Sequence, residues 1–132
     1  MMTLNDFREI YKLRKTIDTL FEERKAAYNT VHSPNLFAPK MSRGRGAADP
    51  TAEAVYKLQG IDERIADHIC ELCDQIEEAL DWMEEEQTPP EICSILIARF
   101  LSGKSWEDVG RSHEGATYNA LKKRLYRYFD AV

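Results

Sequence analysis

The stretch Gly103-Lys104-Ser105-Trp106-Glu107-Asp108-Val109-Gly110 ends one helix and begins another. Gly103 is typical of the residue that closes a helix, because glycine adopts a left-handed backbone there without a steric cost. Ser105 and Asp108, three residues apart, form the pattern of a capping box at a helix N-terminus. The stretch therefore predicts a helix that ends at Gly103 and a short helix that runs from Ser105 to about Ser112.

The helix that ends at Gly103 begins upstream of this stretch, and one further helix follows downstream. Upstream, Thr88-Pro89-Pro90-Glu91 predicts a helix start, with the threonine as cap and the glutamate completing a capping box. Downstream, a last helix is expected from about residue 116 to residue 129, with Leu121 and Leu125 on its apolar face. Helices in this order, with a short turn between the last two, are typical of a three-helix helix-turn-helix, which we assign to residues 87–132.

The outer face of the last predicted helix carries the candidate DNA-binding residues. In a helix-turn-helix this face projects into the major groove. There an asparagine can read adenine, a lysine or arginine can read guanine, and the remaining cations neutralise phosphates. The alternative interpretation is a solvated basic face that binds nothing. The candidates are Thr117, Asn119, Lys122, Lys123, Arg124 and Arg127.

The charge of the chain changes sign where this segment begins. The net charge of the 132-residue protein is −5, but residues 1–86 carry −7 and residues 87–132 carry +2. An acidic total argues against a non-specific nucleic-acid coat, which would be basic throughout. A basic helix at the place of the recognition helix makes double-stranded DNA the expected partner.

Residues 1–86 contain two apolar stripes with the spacing of a coiled coil. The stripes predict two long helices, the first fading near Thr30 and the second running from Asp49-Pro50 to about Glu86. We expect a long helical, coiled-coil-like hairpin, and a homodimer formed through the same helices. The stripes consist of Ile10, Leu13, Ile17 and Leu20, flanked by Phe7 and Phe21, and of Leu58, Ile61, Ile65, Ile69, Leu72, Ile76, Ala79 and Met83.

A loop over residues 31–48 is expected to join the two long helices. Prolines and glycines interrupt any regular element there, and Ser42-Arg43-Gly44-Arg45-Gly46 is basic. Arg43 and Arg45 could reach a minor groove or a phosphate as an arm, so they join the candidate DNA-binding residues. A flexible linker without a ligand is the alternative interpretation.

No residue pattern indicates catalysis, a cofactor or a metal site. The chain has no Ser/His/Asp set, no phosphate-binding loop and no HExxH motif. His68, Cys70 and Cys73 lie within one predicted helix without further ligands nearby, and we expect Cys73 to be buried as a small apolar residue. Three cysteines, no apolar run of membrane-spanning length and no signal-peptide pattern at the start predict an intracellular protein without disulfides and without membrane contact.

The segment from Arg99 to Gly110, Arg-Phe-Leu-Ser-Gly-Lys-Ser-Trp-Glu-Asp-Val-Gly, resembles the "R-Y-x-x-G-x-S-W-x-E-I/V-A" segment of phage-encoded regulators of the RinA/ArpU type. Ala48-Asp49-Pro50-Thr51-Ala52, after a Leu/Ile-rich coil and a Gly/Arg loop, is similar to the start of the second long helix in those proteins. The resemblance implies a helix-turn-helix similar to the fourth region of primary sigma factors. It further implies a DNA-binding regulator of phage late genes, acting in the cytoplasm of a bacterial host. At the turn, His113-Glu114-Gly115-Ala116 replaces the Leu, Gly and Ser expected of the family.

An acidic run along the second long helix favours a different class of function. Carboxylates recur from Asp67 to Glu86, and a solvated face is the simplest interpretation. Alternatively, this surface binds a basic partner such as RNA polymerase or another host protein. The protein would then be a phage interaction protein or inhibitor of the anti-defence type. A small DNA-packaging subunit, which would form rings, is a third hypothesis. We favour the phage or prophage DNA-binding transcriptional regulator, which is not an enzyme.

Overall fold

The computed structural model describes residues 2–31, 50–113 and 116–131, which form helices and contain no strand. The prediction of an all-α protein is therefore confirmed. The elements are α1 (Leu4–Val31), α2 (Pro50–Glu85), α3 (Pro90–Leu96), a π-helical turn (Ile97–Leu101) that continues α3, α4 (Trp106–Ser112) and α5 (Tyr118–Ala131).

Part of the sequence prediction falls on residues outside this description. Residues 32–49 include most of the loop predicted over 31–48, together with Arg43 and Arg45. Val31, the first residue of that predicted loop, is instead the last residue of α1. The roles of Arg43 and Arg45 stay a prediction.

Capping signals in the sequence explain where the two long helices begin. At α1, the backbone N–H of Thr3 donates to Asp6 Oδ2 at 2.8 Å, and the N–H of Asp6 donates to Thr3 Oγ1 at 3.3 Å. This reciprocal capping box satisfies two donors that the helix leaves unpaired. Pro50 begins α2, as predicted, because a residue without an N–H loses no hydrogen bond at the first helical position.

The end of α2 is fixed by a left-handed residue that the sequence did not identify. Gln87 has a φ of 51°, which is uncommon for a residue other than glycine. Its N–H donates to Glu84 O at 3.2 Å, and the N–H of Thr88 donates to Met83 O at 3.0 Å. These two bonds form a Schellman motif, which terminates the helix and redirects the chain into α3.

The capping box predicted at the start of α3 is wrong. Thr88 is buried and its hydroxyl lies 3.3 Å from the hydroxyl of Tyr128, so it does not cap. The residue at the N-cap is Pro89, without a side-chain hydrogen bond to the helix, and Glu91 forms an ion pair with Arg124. The Schellman motif places Thr88 in the core. A buried hydroxyl must find a polar partner within the protein, whereas the exposed start of α3 has less need of one.

The π-helical turn after α3 is also absent from the sequence prediction. Ser102 N donates to Ile97 O at 2.8 Å and Lys104 N donates to Ala98 O at 3.0 Å, so the hydrogen bonds span more residues than in an α-helix. Gly103 follows with a φ of 76°. The predicted role of Gly103 in closing this helix is confirmed.

Hydroxyl caps begin both of the last two helices. Ser105 Oγ accepts from Asp108 N at 3.2 Å, as the sequence predicts. Thr117 Oγ1 accepts from Ala120 N at 3.3 Å, so α5 begins at Tyr118, slightly later than expected. Each cap contributes about 1 kcal/mol to the stability of its helix.

The contacts divide the chain into two compact units. Unit 1 comprises Met1–Lys15 with Cys70–Val132, and unit 2 comprises Thr16–Ile69. Trp82 and Phe129 stack in the core of unit 1, with ring centroids 5.9 Å apart and an interplanar angle of 8°. The largest fully buried side chains, all of unit 1, are Phe7, Ile95, Leu96, Val109, Leu121 and Leu125.

Phe7 contacts three other aromatic rings in the core of unit 1. Its ring centroid lies 5.8 Å from that of Trp82, 5.9 Å from that of Phe129 and 6.1 Å from that of Phe100. Residues of the predicted N-terminal hairpin therefore pack on residues of the predicted C-terminal domain. The boundary predicted at residue 86 would separate two domains that fold independently. This domain division stays a prediction.

The described part of unit 2 has a small core. Leu20 and Ala27 of α1 cluster with Ile61 and Ile65 of α2, and Leu58 packs against them. An ion pair of 2.6 Å joins Arg24 to Asp62 beside this cluster. The large side chains Phe21, Tyr28, Tyr56 and Ile69 stay exposed.

Three positions differ from the burial that the stripes predict. Phe21 and Ile69 are 47% and 39% exposed, so neither stripe is buried along its whole length. A repeat of 3.5 residues drifts around a straight helix, which turns some of its members toward solvent. Cys73 is exposed rather than buried, because it lies about 100° around α2 from the buried Leu72.

Candidate nucleic-acid interface

The two faces of α5 differ sharply in burial and in chemistry. Leu121 and Leu125 are fully buried on one face. Asn119, Lys123 and Arg127 are exposed and lie four residues apart, which places them along one stripe of the helix. The side chains of these three residues form no ion pair or hydrogen bond with any described residue. We call them the α5 stripe.

Helices α3 and α4 both pack on α5 and fix its orientation within unit 1. The approach of α4 is close: a Cβ on Gly110 would lie 3.3 Å from both the Cβ and the backbone N of Tyr118. A larger residue at position 110 would push α5 away. Glycine therefore permits the short distance between α4 and the first turn of α5.

His113 fastens the end of α4 to α3, just before α5. Its Nδ1 lies 2.8 Å from Val109 O, and its Nε2 lies 3.0 Å from Ser94 Oγ. Because a carbonyl oxygen only accepts, Nδ1 carries the donated proton, and in the neutral ring Nε2 accepts from the Ser94 hydroxyl. His113 thus has a structural role at the end of α4. Residues 114 and 115 lie outside the described part of the chain.

The structure gives three of the predicted DNA-binding residues other partners. Thr117 caps α5 with its hydroxyl. Arg124 forms an ion pair with Glu91 of α3, and both side chains are about half exposed. Pairs this exposed add little stability, but the contact directs Arg124 toward α3 and away from the α5 stripe.

Lys122 is the third of these residues, and it belongs to a row of alternating cations and aromatic rings. Its Nζ lies 5.7 Å from the centre of the Tyr118 ring and 5.3 Å from that of Trp106. The guanidinium of Arg99 lies 5.2 Å from the Trp106 ring and 4.2 Å from the Tyr11 ring. We call this row, continued by Lys15 at 5.3 Å from Tyr11, the cation–aromatic ladder.

The sequence did not identify the ladder, because its members come from α1, the π-helical turn, α4 and α5. Tyr11 and Arg99 are separated by most of the chain. Their contact depends on the packing of unit 1, which no local pattern encodes. In the sequence, Trp106 was noted within the segment that resembles phage regulators, and its cation contacts were not predicted.

An acidic groove lies elsewhere on unit 1. Met2 and Trp82 line it together with carboxylates of α2, and its volume is about 530 Å³. The carboxylates are those of Asp74, Glu77, Glu78, Asp81 and Glu85. The groove therefore concentrates negative charge, which suits a basic partner.

The cysteines and acidic residues show no arrangement for metal binding in the described ranges. No group of three His, Cys, Asp or Glu side chains there could hold a metal ion. Burial raises the pKa of the Cys93 thiol, whose Sγ lies 3.4 Å from Thr88 O. Among the residues that the structure describes, no helix is both long enough and apolar enough to cross a membrane.

Comparison of the chain with protein-family models, with curated proteins and with solved structures finds no match.

Proposed function

We propose that this protein is a DNA-binding transcriptional regulator that reads duplex DNA with α5. The observation that carries the proposal is the α5 stripe: Asn119, Lys123 and Arg127 face solvent without described partners, opposite a fully buried leucine face. Such a helix is held rigidly while its base-reading groups stay free. Asparagine has the donor and acceptor that match adenine, and arginine and lysine match guanine or a phosphate.

The arrangement of α3, α4 and α5 supports assigning them to a helix-turn-helix. In that motif the helix before the turn packs closely on the recognition helix, as α4 does through Gly110. The His113 contacts at the end of α4 and the Thr117 cap at the start of α5 hold the turn on both sides. The positive charge of residues 87–132 in an otherwise acidic chain adds electrostatic attraction for phosphates.

The resemblance of residues 99–110 to RinA/ArpU-type regulators supports a phage or prophage origin and a role in late-gene transcription. On this proposal the protein acts in the bacterial cytoplasm and contacts RNA polymerase beside its DNA site. A helical hairpin of α1 and α2 is supported in unit 2 by the Arg24–Asp62 ion pair and by the small cluster around Leu20.

We propose further that the protein is a homodimer joined through unit 2. The apolar cluster among the described residues of unit 2 is small, while Phe21 and Tyr28 lie exposed seven residues apart on α1. A second copy that covers this face would bury both aromatic rings. Dimerisation would also double the DNA contact area, which a single small module needs for specific binding.

The proposal is tested by fluorescence anisotropy with duplex fragments from the genomic neighbourhood of the protein, at two salt concentrations. We expect saturable, salt-sensitive binding with a preferred fragment. The variant Lys123→Ala/Arg127→Ala should lose about 1.8 from the slope of log K against log salt, since each phosphate contact contributes about 0.9. The matched control is Lys57→Ala/Arg64→Ala, which removes two exposed charges of α2 from unit 2 and should leave the slope unchanged.

Asn119→Ala tests base reading separately from charge. We expect it to reduce the preference for the best fragment by about 1–3 kcal/mol, the discrimination that one bidentate base contact provides. Its salt dependence should stay that of the unmodified protein. Absence of DNA binding by the unmodified protein at low salt would refute the proposed function.

The acidic groove favours a second candidate function, binding of a basic protein partner. The carboxylates of α2 that line the groove would supply the charge for this contact. Charge reversal at Glu77 and Glu85 should then abolish capture of a basic host protein while DNA binding persists. If the reversal changes neither activity, the groove is a solvated surface.

A further inference from the structure

The cations at the α4 and α5 end of the cation–aromatic ladder concentrate positive charge that no described carboxylate neutralises. Arg99, Lys104 and Lys122 form no ion pair with a described residue. Aromatic rings are neutral, so a cation held over a ring face keeps its full charge. In contrast, Arg111 on α4 is paired with Asp108 at 2.6 Å, and Arg124 is paired with Glu91.

Arg99 and Lys15 of the ladder are held in place before any ligand arrives. Arg99 Nη1 donates to Lys104 O at 3.0 Å, which joins the π-helical turn to the start of α4. Lys15 Nζ donates to Gly103 O at 2.8 Å on the same turn. Arg99 Nε is buried without a hydrogen-bond partner, a cost that the contacts with Tyr11 and Trp106 offset. Charges fixed in this way lose little conformational entropy on binding an anion.

The ladder also has the right position beside the α5 stripe. Tyr118 and Lys122 lie about 100° around α5 from Asn119 and Lys123, on the side where α4 packs. An α-helix is about 10–12 Å across, and the major groove is about 12 Å wide. A helix in the groove therefore has a phosphate backbone along each of its sides.

We infer that the cation–aromatic ladder, with Lys104 at its edge, is a second contact surface for the phosphodiester backbone of duplex DNA. This inference rests on the proposed function and adds to it. The α5 stripe would contact the bases, and the ladder would bind the strand that passes on the α4 side. Lys15 and Tyr11 bring the N-terminal helix into this surface, outside residues 87–132.

Salt dependence tests the inference with exposed or half-buried residues. The variant is Lys104→Gln/Lys122→Gln, and the control is Lys57→Gln/Arg64→Gln in unit 2. Loss of two phosphate contacts should lower the salt slope by about 1.8, so that binding changes about twelvefold less between 50 and 200 mM salt. Preferred and random duplexes should lose affinity by the same factor, because phosphates carry no sequence information. The control should match the unmodified protein.

The outcomes separate this inference from the proposed function. If the unmodified protein binds DNA and Lys104→Gln/Lys122→Gln keeps its slope, the inference is wrong and the proposed function stands. If the variant loses thermal stability but no slope, the ladder serves only to hold the helices together. If the unmodified protein binds no DNA, the proposed function and the inference both fail.

Discussion

Gly103 lies between the π-helical turn and α4, beside the cation–aromatic ladder. Its substitution by alanine should destabilise unit 1. The residue has a φ of 76°, a conformation that costs a residue with a Cβ about 1–2 kcal/mol. The new Cβ would also lie 3.0 Å from Arg14 Cγ, an atom near the start of that side chain, so Arg14 would have to shift as well. We expect the conformational cost alone to make Gly103→Ala lower the free energy of unfolding by about 1–2 kcal/mol.

Gly60→Ala is the matched control for this substitution. Gly60 lies inside α2, and nothing within 4 Å would contact an added Cβ. Because alanine has the higher helix propensity, this variant should gain about 1 kcal/mol. The two glycine variants should then differ by about 2–3 kcal/mol, with opposite signs relative to the unmodified protein.

Urea unfolding followed by two signals measures both effects. Tryptophan fluorescence reports on unit 1, which contains both tryptophans, and far-UV circular dichroism reports on the helices of both units. Gly103→Ala should lower the midpoint of the fluorescence transition at an unchanged m-value. A midpoint equal to or above that of the unmodified protein would refute the left-handed backbone at this position and the turn that depends on it.

Three further expectations follow from named contacts. Ser105→Ala removes the cap of α4 and should cost about 1 kcal/mol in the same urea assay; no loss would show that the hydroxyl does not cap. Arg124→Ala should change the salt slope of DNA binding by well under 0.9, because the ion pair with Glu91 directs Arg124 away from the stripe; a full loss of about 0.9 would place it on a phosphate. Burial raises the pKa of the Cys93 thiol and so lowers its thiolate fraction. We therefore expect Cys93 to be alkylated more slowly than the exposed Cys73, and its alkylation rate to increase only at a higher pH than that of Cys73. Equal rates and equal pH profiles of the two cysteines would contradict the partial burial of Cys93.

Helix ends were predictable from sequence where the signal is local. Ser105, Gly103 and Pro50 were each assigned correctly, because a cap or a stop is encoded within three or four neighbouring residues. Thr88 carries the same kind of signal, and the prediction failed there. The preceding residue, Gln87, adopts the left-handed conformation, and this directs Thr88 into the core.

In the candidate site, only the features that follow from helical periodicity were predictable from the sequence. The spacing of Asn119, Lys123 and Arg127 placed them on one face of the last helix, and all three are exposed. The partners of Arg124 and Lys122 depend instead on how α3 and α4 pack against α5. Contacts between residues distant in the chain leave no periodic pattern, so the ladder and the ion pair emerge only from the tertiary structure.

The central claim is that the α5 stripe is the surface that reads DNA. The most direct measurement is an amide NMR titration of the unmodified protein with its preferred duplex. We expect the largest shift changes at Asn119, Lys123 and Arg127, with smaller changes along the cation–aromatic ladder. Changes confined to the acidic groove around Glu77 and Glu85, or no saturable change at all, would contradict the account.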